Sequence, residues 1–286
     1  MSSGSSTRGA QSRLRPLIVL AGTILLISGC GRAEEDLAGD RPVDPVTPVV
    51  VEGPPQLAVS FDDLPAGREF GDGTVLASTG IVPVRVKVSA LADADLDAVP
   101  GVEGGSAVRF PAVDASSKRR VVVTAVPAGD PTALDPGPQD FSFGASILLD
   151  SVSEGGLDNG NNVLQRGLFS DRSQFKIQVD GGVVSCRVAG DAGQLIVAAE
   201  RPVEPGEWYR VTCTRIGQEL TLDVEGADDA PARVTVTGPT GKVIPSPGAP
   251  VVVGGKAHPD GTPLAGDSDP FNGLVDDVML IIEQSR

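Results

Sequence analysis

From Gln56 onward the apolar positions recur at every second residue. Val84, Val86 and Val88 alternate with Arg85 and Lys87, Phe175, Ile177 and Val179 with Lys176 and Gln178, and Leu220, Leu222 and Val224 with Thr221 and Asp223. A period of two sends successive side chains to opposite faces of an extended strand, whereas a helix needs a period of 3.6. Turn clusters separate the runs: Gly71-Asp72-Gly73, Asp158-Asn159-Gly160, Asp180-Gly181-Gly182 and Gly238-Pro239-Thr240-Gly241. Glycine supplies positive φ at no steric cost, and Asp and Asn hydrogen-bond their own backbone, so such clusters reverse the chain. The window from Leu91 to Val99 is the one stretch with a helical option, and a loop fits it equally. Many short strands with one polar face predict an all-β sandwich of two antiparallel sheets. The 36 Gly and 24 Pro, about a fifth of 286 residues, suit that turn-rich architecture.

Two cysteines fall inside this pattern. Cys186 shares a strand face with Val184 and Val188, and Cys213 shares one with Tyr209 and Val211. Both thiols therefore point to the apolar side. In an oxidising compartment they are expected to pair as a disulfide, and two free buried thiols are the alternative. Neither reads as a nucleophile, because no histidine lies near them in sequence.

The N-terminus gives an address. Arg8, Arg13 and Arg15 precede a twelve-residue, mostly apolar run from Leu17 to Ser28. That length suits the core of a signal peptide and is too short for a spanning helix. The run ends at Ile27-Ser28-Gly29-Cys30, which resembles a bacterial lipobox. Residues 1–29 are thus expected to be a lipoprotein signal peptide, with Cys30 the lipidated first residue of the mature chain. Two or more acyl chains make a stable anchor. Residues 30–55 hold Pro42, Pro45, Pro48, Pro54 and Pro55, many acids and no aromatic, and read as a tether that reaches roughly 75 Å when extended. Val49–Val51 has the alternative of a first edge strand. Residues 56–286 are then the folded domain, held outside the bacterial membrane by a lipid anchor.

Charge and composition exclude several classes. With 23 Lys and Arg against 38 Asp and Glu, the net charge is −15. Nucleic acid needs clustered cations, and so does docking on an anionic bilayer through a basic face, so neither is an expected partner. One histidine, His258 in a turn-rich loop, and three cysteines leave little material for zinc or a histidine triad.

The order of the segments resembles a known family. Leu57–Asp62, Gly105–Phe110, Asp140–Ala145, Asn162–Gly167, Phe175–Ile177, Cys186–Val188, Trp208–Val211, Leu220–Gly226, Val251–Gly255 and Phe271–Val278 follow one another as in laminin-G-like, concanavalin-A-like jelly-roll domains of bacterial surface proteins. The resemblance covers about residues 56–284. It implies a jelly roll of two curved antiparallel sheets and a non-catalytic module that binds a glycan or an extracellular protein. A structural envelope protein without a soluble ligand, or a polysaccharide hydrolase, are the other readings.

The resemblance also frames the candidate sites. Related glucanases alternate carboxylates along one strand, which sets a nucleophile and an acid/base at working separation. Here Asp223 and Glu225 share a face, but Thr221 occupies the preceding position on it. Related domains hold calcium at a loop rim, and a hard cation wants six to eight oxygens. Asp158, Asn159 and Asn161, together with Asp267, Asp269 and Asp276, are the candidate ligands. Trp208 and Tyr209 are the candidate ligand contacts. As neighbours on a strand they face opposite ways, so Trp208 lies on the outer face if Tyr209 points inward. Replacing Cys30 by Ala is expected to release the protein from the membrane fraction; a variant that stays membrane-bound refutes the lipobox reading.

Overall fold

The computed structural model describes residues 50–112, 118–151, 161–226, 231–266 and 269–284. The signal peptide, Cys30 and nearly all of the tether lie outside them, as do Asp158, Asn159 and Asp267. Seventeen strands and no helix occur among the described residues. They are β1 (Leu57–Val59), β2 (Glu69–Phe70), β3 (Val75–Leu76), β4 (Val84–Leu91), β5 (Leu96–Pro100), β6 (Ser106–Arg109), β7 (Arg120–Pro127), β8 (Phe141–Leu149) and β9 (Asn161–Arg166). Then follow β10 (Gln174–Asp180), β11 (Val183–Gly190), β12 (Gly193–Ala198), β13 (Trp208–Ile216), β14 (Glu219–Gly226), β15 (Ala232–Thr237), β16 (Val251–Val253) and β17 (Gly273–Ile282). The first sheet has the order β15-β14-β13-β8-β17-β6-β5-β2, with β1 also paired to β17; the second has the order β12-β11-β10-β9-β16-β7-β4-β3. All pairs between these strands are antiparallel, as a jelly-roll sandwich requires.

The alternation read from sequence becomes the two faces of each sheet. Phe141 and Phe143 of β8 and Phe175 of β10 meet between the sheets, with centroids 5.0–5.6 Å apart, and all three are fully buried. Cys186 of β11 and Cys213 of β13 form a disulfide across the same interior, with Cα atoms 6.1 Å apart. The bond therefore ties one sheet to the other. Two arginines also turn inward. Arg166 donates from Nη2 to Asp135 Oδ1 at 2.6 Å and to the Pro131 carbonyl at 3.1 Å, with its side chain wholly buried. Arg215 lies over the Phe141 ring, 5.3 Å from its centroid, and donates to the Gln139 carbonyl. A buried cation is tolerated only with such partners.

Turn chemistry fixes the connections. Gly181 and Gly182, at φ of 57° and 82°, close the two-residue hairpin between β10 and β11. The Leu91–Val99 window is neither helix nor open loop. Ala92 and Asp93 take φ of 54° and 53°, and the chain turns the corner from β4 in one sheet to β5 in the other. The tether boundary also moves. Val51 is 8% exposed, and its N–H donates to Ser142 Oγ at 2.8 Å, so packing begins before Gln56.

Reducing the disulfide is expected to lower stability by about 3–4 kcal/mol, because the cross-link removes loop entropy from the unfolded chain. For a domain of this size that corresponds to roughly 10 °C in melting temperature. An unchanged melt, with reduction confirmed by mass, contradicts the staple's contribution.

Candidate functional site

On the outer face of the second sheet, facing residues line up in one row. Val252 of β16 lies opposite Gln165 of β9, Gln165 opposite Lys176 of β10, Lys176 opposite Arg187 of β11, and Arg187 opposite Ile196 of β12. The β16–β17 connection roofs the Val252 end, with Ala257 packed on Val122 and Val252. His258 sits exposed on that roof, and its N–H donates to the Thr262 carbonyl at 2.8 Å. The other end is open, and Ile196 is 55% exposed there.

Hydrogen bonds organise this shelf. Asn162 Nδ2 donates to Gln165 Oε1 at 3.1 Å, and Lys176 Nζ lies 3.4 Å from Asn162 Oδ1. Arg187 donates from Nη1 to Gln174 Oε1, and from Nε and Nη2 to Gln194 Oε1 at 3.3 and 2.8 Å. Gln174 in turn donates to the Gly167 carbonyl at 2.9 Å. Amides and cations at fixed positions suit the hydroxyl groups of a polar ligand.

One aromatic overhangs the shelf. Phe169 is 74% exposed, which makes it the sole exposed aromatic among the described residues. It occupies the turn between β9 and β10. Asp171 Oδ2 accepts the Leu168 N–H at 2.7 Å, and the Asp171 N–H returns to the Leu168 carbonyl at 2.9 Å. Gly167 starts this turn at φ 84°, where a Cβ would press on the Ser173 backbone. The Arg187 guanidinium carbon sits 4.7 Å from the Phe169 centroid. One ring face is thereby supported by a cation. Beside the turn a pocket of about 50 Å³ runs between Gln165, Leu168, Ala257 and Pro259.

The residues expected from sequence are dispersed. Tyr209 points inward at the start of β13, and its Oη accepts the Glu204 N–H at 3.2 Å. It lines a cleft of about 280 Å³ at the sandwich edge, walled by Arg201, Val203, Val224 and Arg233. Trp208 is half-buried next to it in the chain, opposite Leu148 on the other face of the strand. The two therefore do not form one contact surface. Asp223 is buried and accepts from Arg233 Nε at 2.6 Å, while the Glu225 carboxyl is pushed up by burial and by Asp223.

Of the calcium candidates, Asp158, Asn159 and Asp267 lie outside the described residues. Asp269 Oδ2 lies 2.6 Å from the ammonium of Lys256, which already supplies its cation. Asp276 is buried at the bulge of β17, in the other sheet. Its Oδ1 accepts the Asp277 N–H at 2.8 Å and its Oδ2 the Val102 N–H at 3.4 Å. Asn161 is buried in β9. Among the described residues no three metal-ligating side chains converge on one point. The Asp276 carboxylate is thus a brace for the Val102 loop, and Asp269 half of an ion pair.

With this geometry in place, the comparisons are decisive for the family. A laminin G model, described as concanavalin A-like lectin/glucanases superfamily, matches residues 125–281, from within β7 to within β17. The chain belongs to this superfamily. Among solved structures, the botulinum neurotoxin serotype G binding domain matches with a TM-score of 0.53 and 10% identity, covering 81% of this chain and 48% of that one. The binding domain of botulinum neurotoxin DC in complex with rat synaptotagmin II matches with 0.50 and 11%, covering 80% and 48%. The superfamily member thus spans about half the length of those chains, and the likeness is one of fold. No curated protein sequence matches it.

Asp276 generates a pH prediction. Burial raises its carboxyl from 3.8 to about 7. Between those values the unfolded chain releases this proton while the folded chain keeps it, so its contribution to stability falls as pH rises through that window. Asp276→Asn is expected to remove that component, so its melting temperature gains on wild type from pH 4 to pH 7. Parallel melting-versus-pH curves for the two proteins refute this.

Proposed function

We propose that this protein is a non-enzymatic, extracytoplasmic lipoprotein whose jelly-roll module binds a glycan or a protein outside the bacterial membrane, with the shelf on the second sheet as its site. One observation carries the reading: Phe169, an exposed ring supported by Arg187, overhangs a row of oriented amides and cations. A saccharide presents apolar C–H faces to an aromatic ring and hydroxyls to amide and cationic groups, and the shelf offers both. The lipobox-like Cys30 and the proline-rich tether support the surface location. The non-catalytic reading is supported by the β14 strand. Asp223 is held by Arg233, and Thr221 stands where a third alternating acid would be.

The full-length protein, titrated by calorimetry with a panel of polysaccharides that includes bacterial wall glycans, is expected to bind at least one. Phe169→Ala is expected to weaken that binding about tenfold or more while leaving the melting temperature unchanged, because the ring is 74% exposed. A variant that binds as tightly as wild type removes the shelf from the site.

A further inference from the structure

The shelf holds two cations that make no ion pair among the described residues. The chain carries 38 acidic residues against 23 basic, and only five of its basic residues are lysines. Lys176 and Lys256 nevertheless sit at one shelf, together with Arg187. Lys256 is neutralised by Asp269. Among the described residues neither Lys176 nor Arg187 makes an ion pair; their hydrogen bonds go to the amides of Asn162, Gln174 and Gln194. Arg187 is only 8% exposed.

Burying a charge without a counter-charge is costly, and amide dipoles offset only part of the lost hydration. In a protein with acids to spare, a carboxylate opposite this pair is the simple remedy, and the shelf lacks it. Acids do lie in the neighbourhood. Asp269 faces Lys176 from the β16–β17 connection and Asp180 from its own strand, while Lys256 and Arg187 oppose them. Burial still dominates and pushes the Lys176 ammonium down to about 8. For Arg187 burial is the one cause, with no acid counteracting it. Lys176 and Arg187 occupy facing positions on β10 and β11, with the ammonium turned to Asn162 and the guanidinium to Gln174 and Gln194. Phe169 stands at that end of the row, where a sugar ring bearing an anionic group would stack.

We propose that the shelf selects an acidic saccharide, a sugar whose ring lies on Phe169 and whose carboxylate pairs with Lys176. This rests on the binding-module reading above and adds the ligand's charge to it. The lysine offers a compact charge to a carboxylate, while Gln174 and Gln194 take up the fork of Arg187 and hold it under Phe169.

The test compares oligogalacturonate with a neutral galactan oligosaccharide of the same length, titrated into the full-length protein. The acidic chain is expected to bind at least about tenfold more tightly than the neutral one. Lys176→Gln should abolish most of that preference. Anion binding to a lysine near 8 takes up a proton, so wild-type affinity should fall as pH rises from 7 to 9. Lys176→Arg keeps the charge throughout that range and should retain binding with a flat profile. Melting curves of both variants confirm that they fold. Equal affinity for the two oligosaccharides, or a Lys176→Gln variant that binds oligogalacturonate as wild type does, overturns the acidic selection while leaving a glycan-binding shelf. Binding of neither oligosaccharide by the folded wild type also overturns the acidic selection, while the polysaccharide panel decides the binding-module reading.

Discussion

The pleat of the strand couples the inside of this sandwich to its outside. On β10, Lys176 stands between Phe175 and Ile177, both fully buried. On β11, Arg187 stands between Cys186 and Val188, both fully buried as well. Because successive residues must point to opposite faces, a register that seats the inner set also fixes the outer set. Slipping β10 by one residue would drive Lys176 into the aromatic layer. The Cys186–Cys213 bond then holds this register against the opposite sheet. The outer row is positioned by interactions it does not itself make.

Loops complete what the strands begin. The β9–β10 turn owes its shape to Gly167 and to the reciprocal bonds of Asp171, and it carries Phe169 out over Arg187. The β16–β17 connection packs Ala257 on Val122 and Val252, so it covers the outer face of β7 and β16 there, while Ile196 on β12 stays exposed. The result is a bounded shelf. Its floor is rigid, since Gln174 and Gln194 each take a donor of Arg187. Rigid polar groups lose little entropy when a ligand arrives.

The strands were legible because alternation is a local signal. β4, β10, β11 and β14 appear where Val84–Val88, Phe175–Val179, Cys186 and Leu220–Val224 place them, and the two thiols meet as their faces foretold. The Leu91–Val99 corner was not legible, since its form depends on two sheets that meet there. The site was less legible still. Lys176 and Arg187 were visible as the polar partners of an alternating run, which in any half-exposed strand means only a solvated face. Their burial, their adjacency and their missing acids arise from pairing between strands and from loops folding over them. The aromatic that matters, Phe169, carried no signal in its short turn, while the more conspicuous Trp208 and Tyr209 face opposite ways. Asp269 reads as a metal ligand in the sequence, where nothing signals its ion pair with Lys256.

The shelf's two unmatched cations sit within a protein whose net charge is −15. The long-range and short-range fields around it therefore have opposite sign. Any approaching anion meets repulsion first, and the local attraction takes over only within about 8 Å, the screening length at physiological salt. Salt acts in opposite senses on the two stages of an encounter with an anion: it speeds arrival by screening the outer field and weakens retention by screening the inner one.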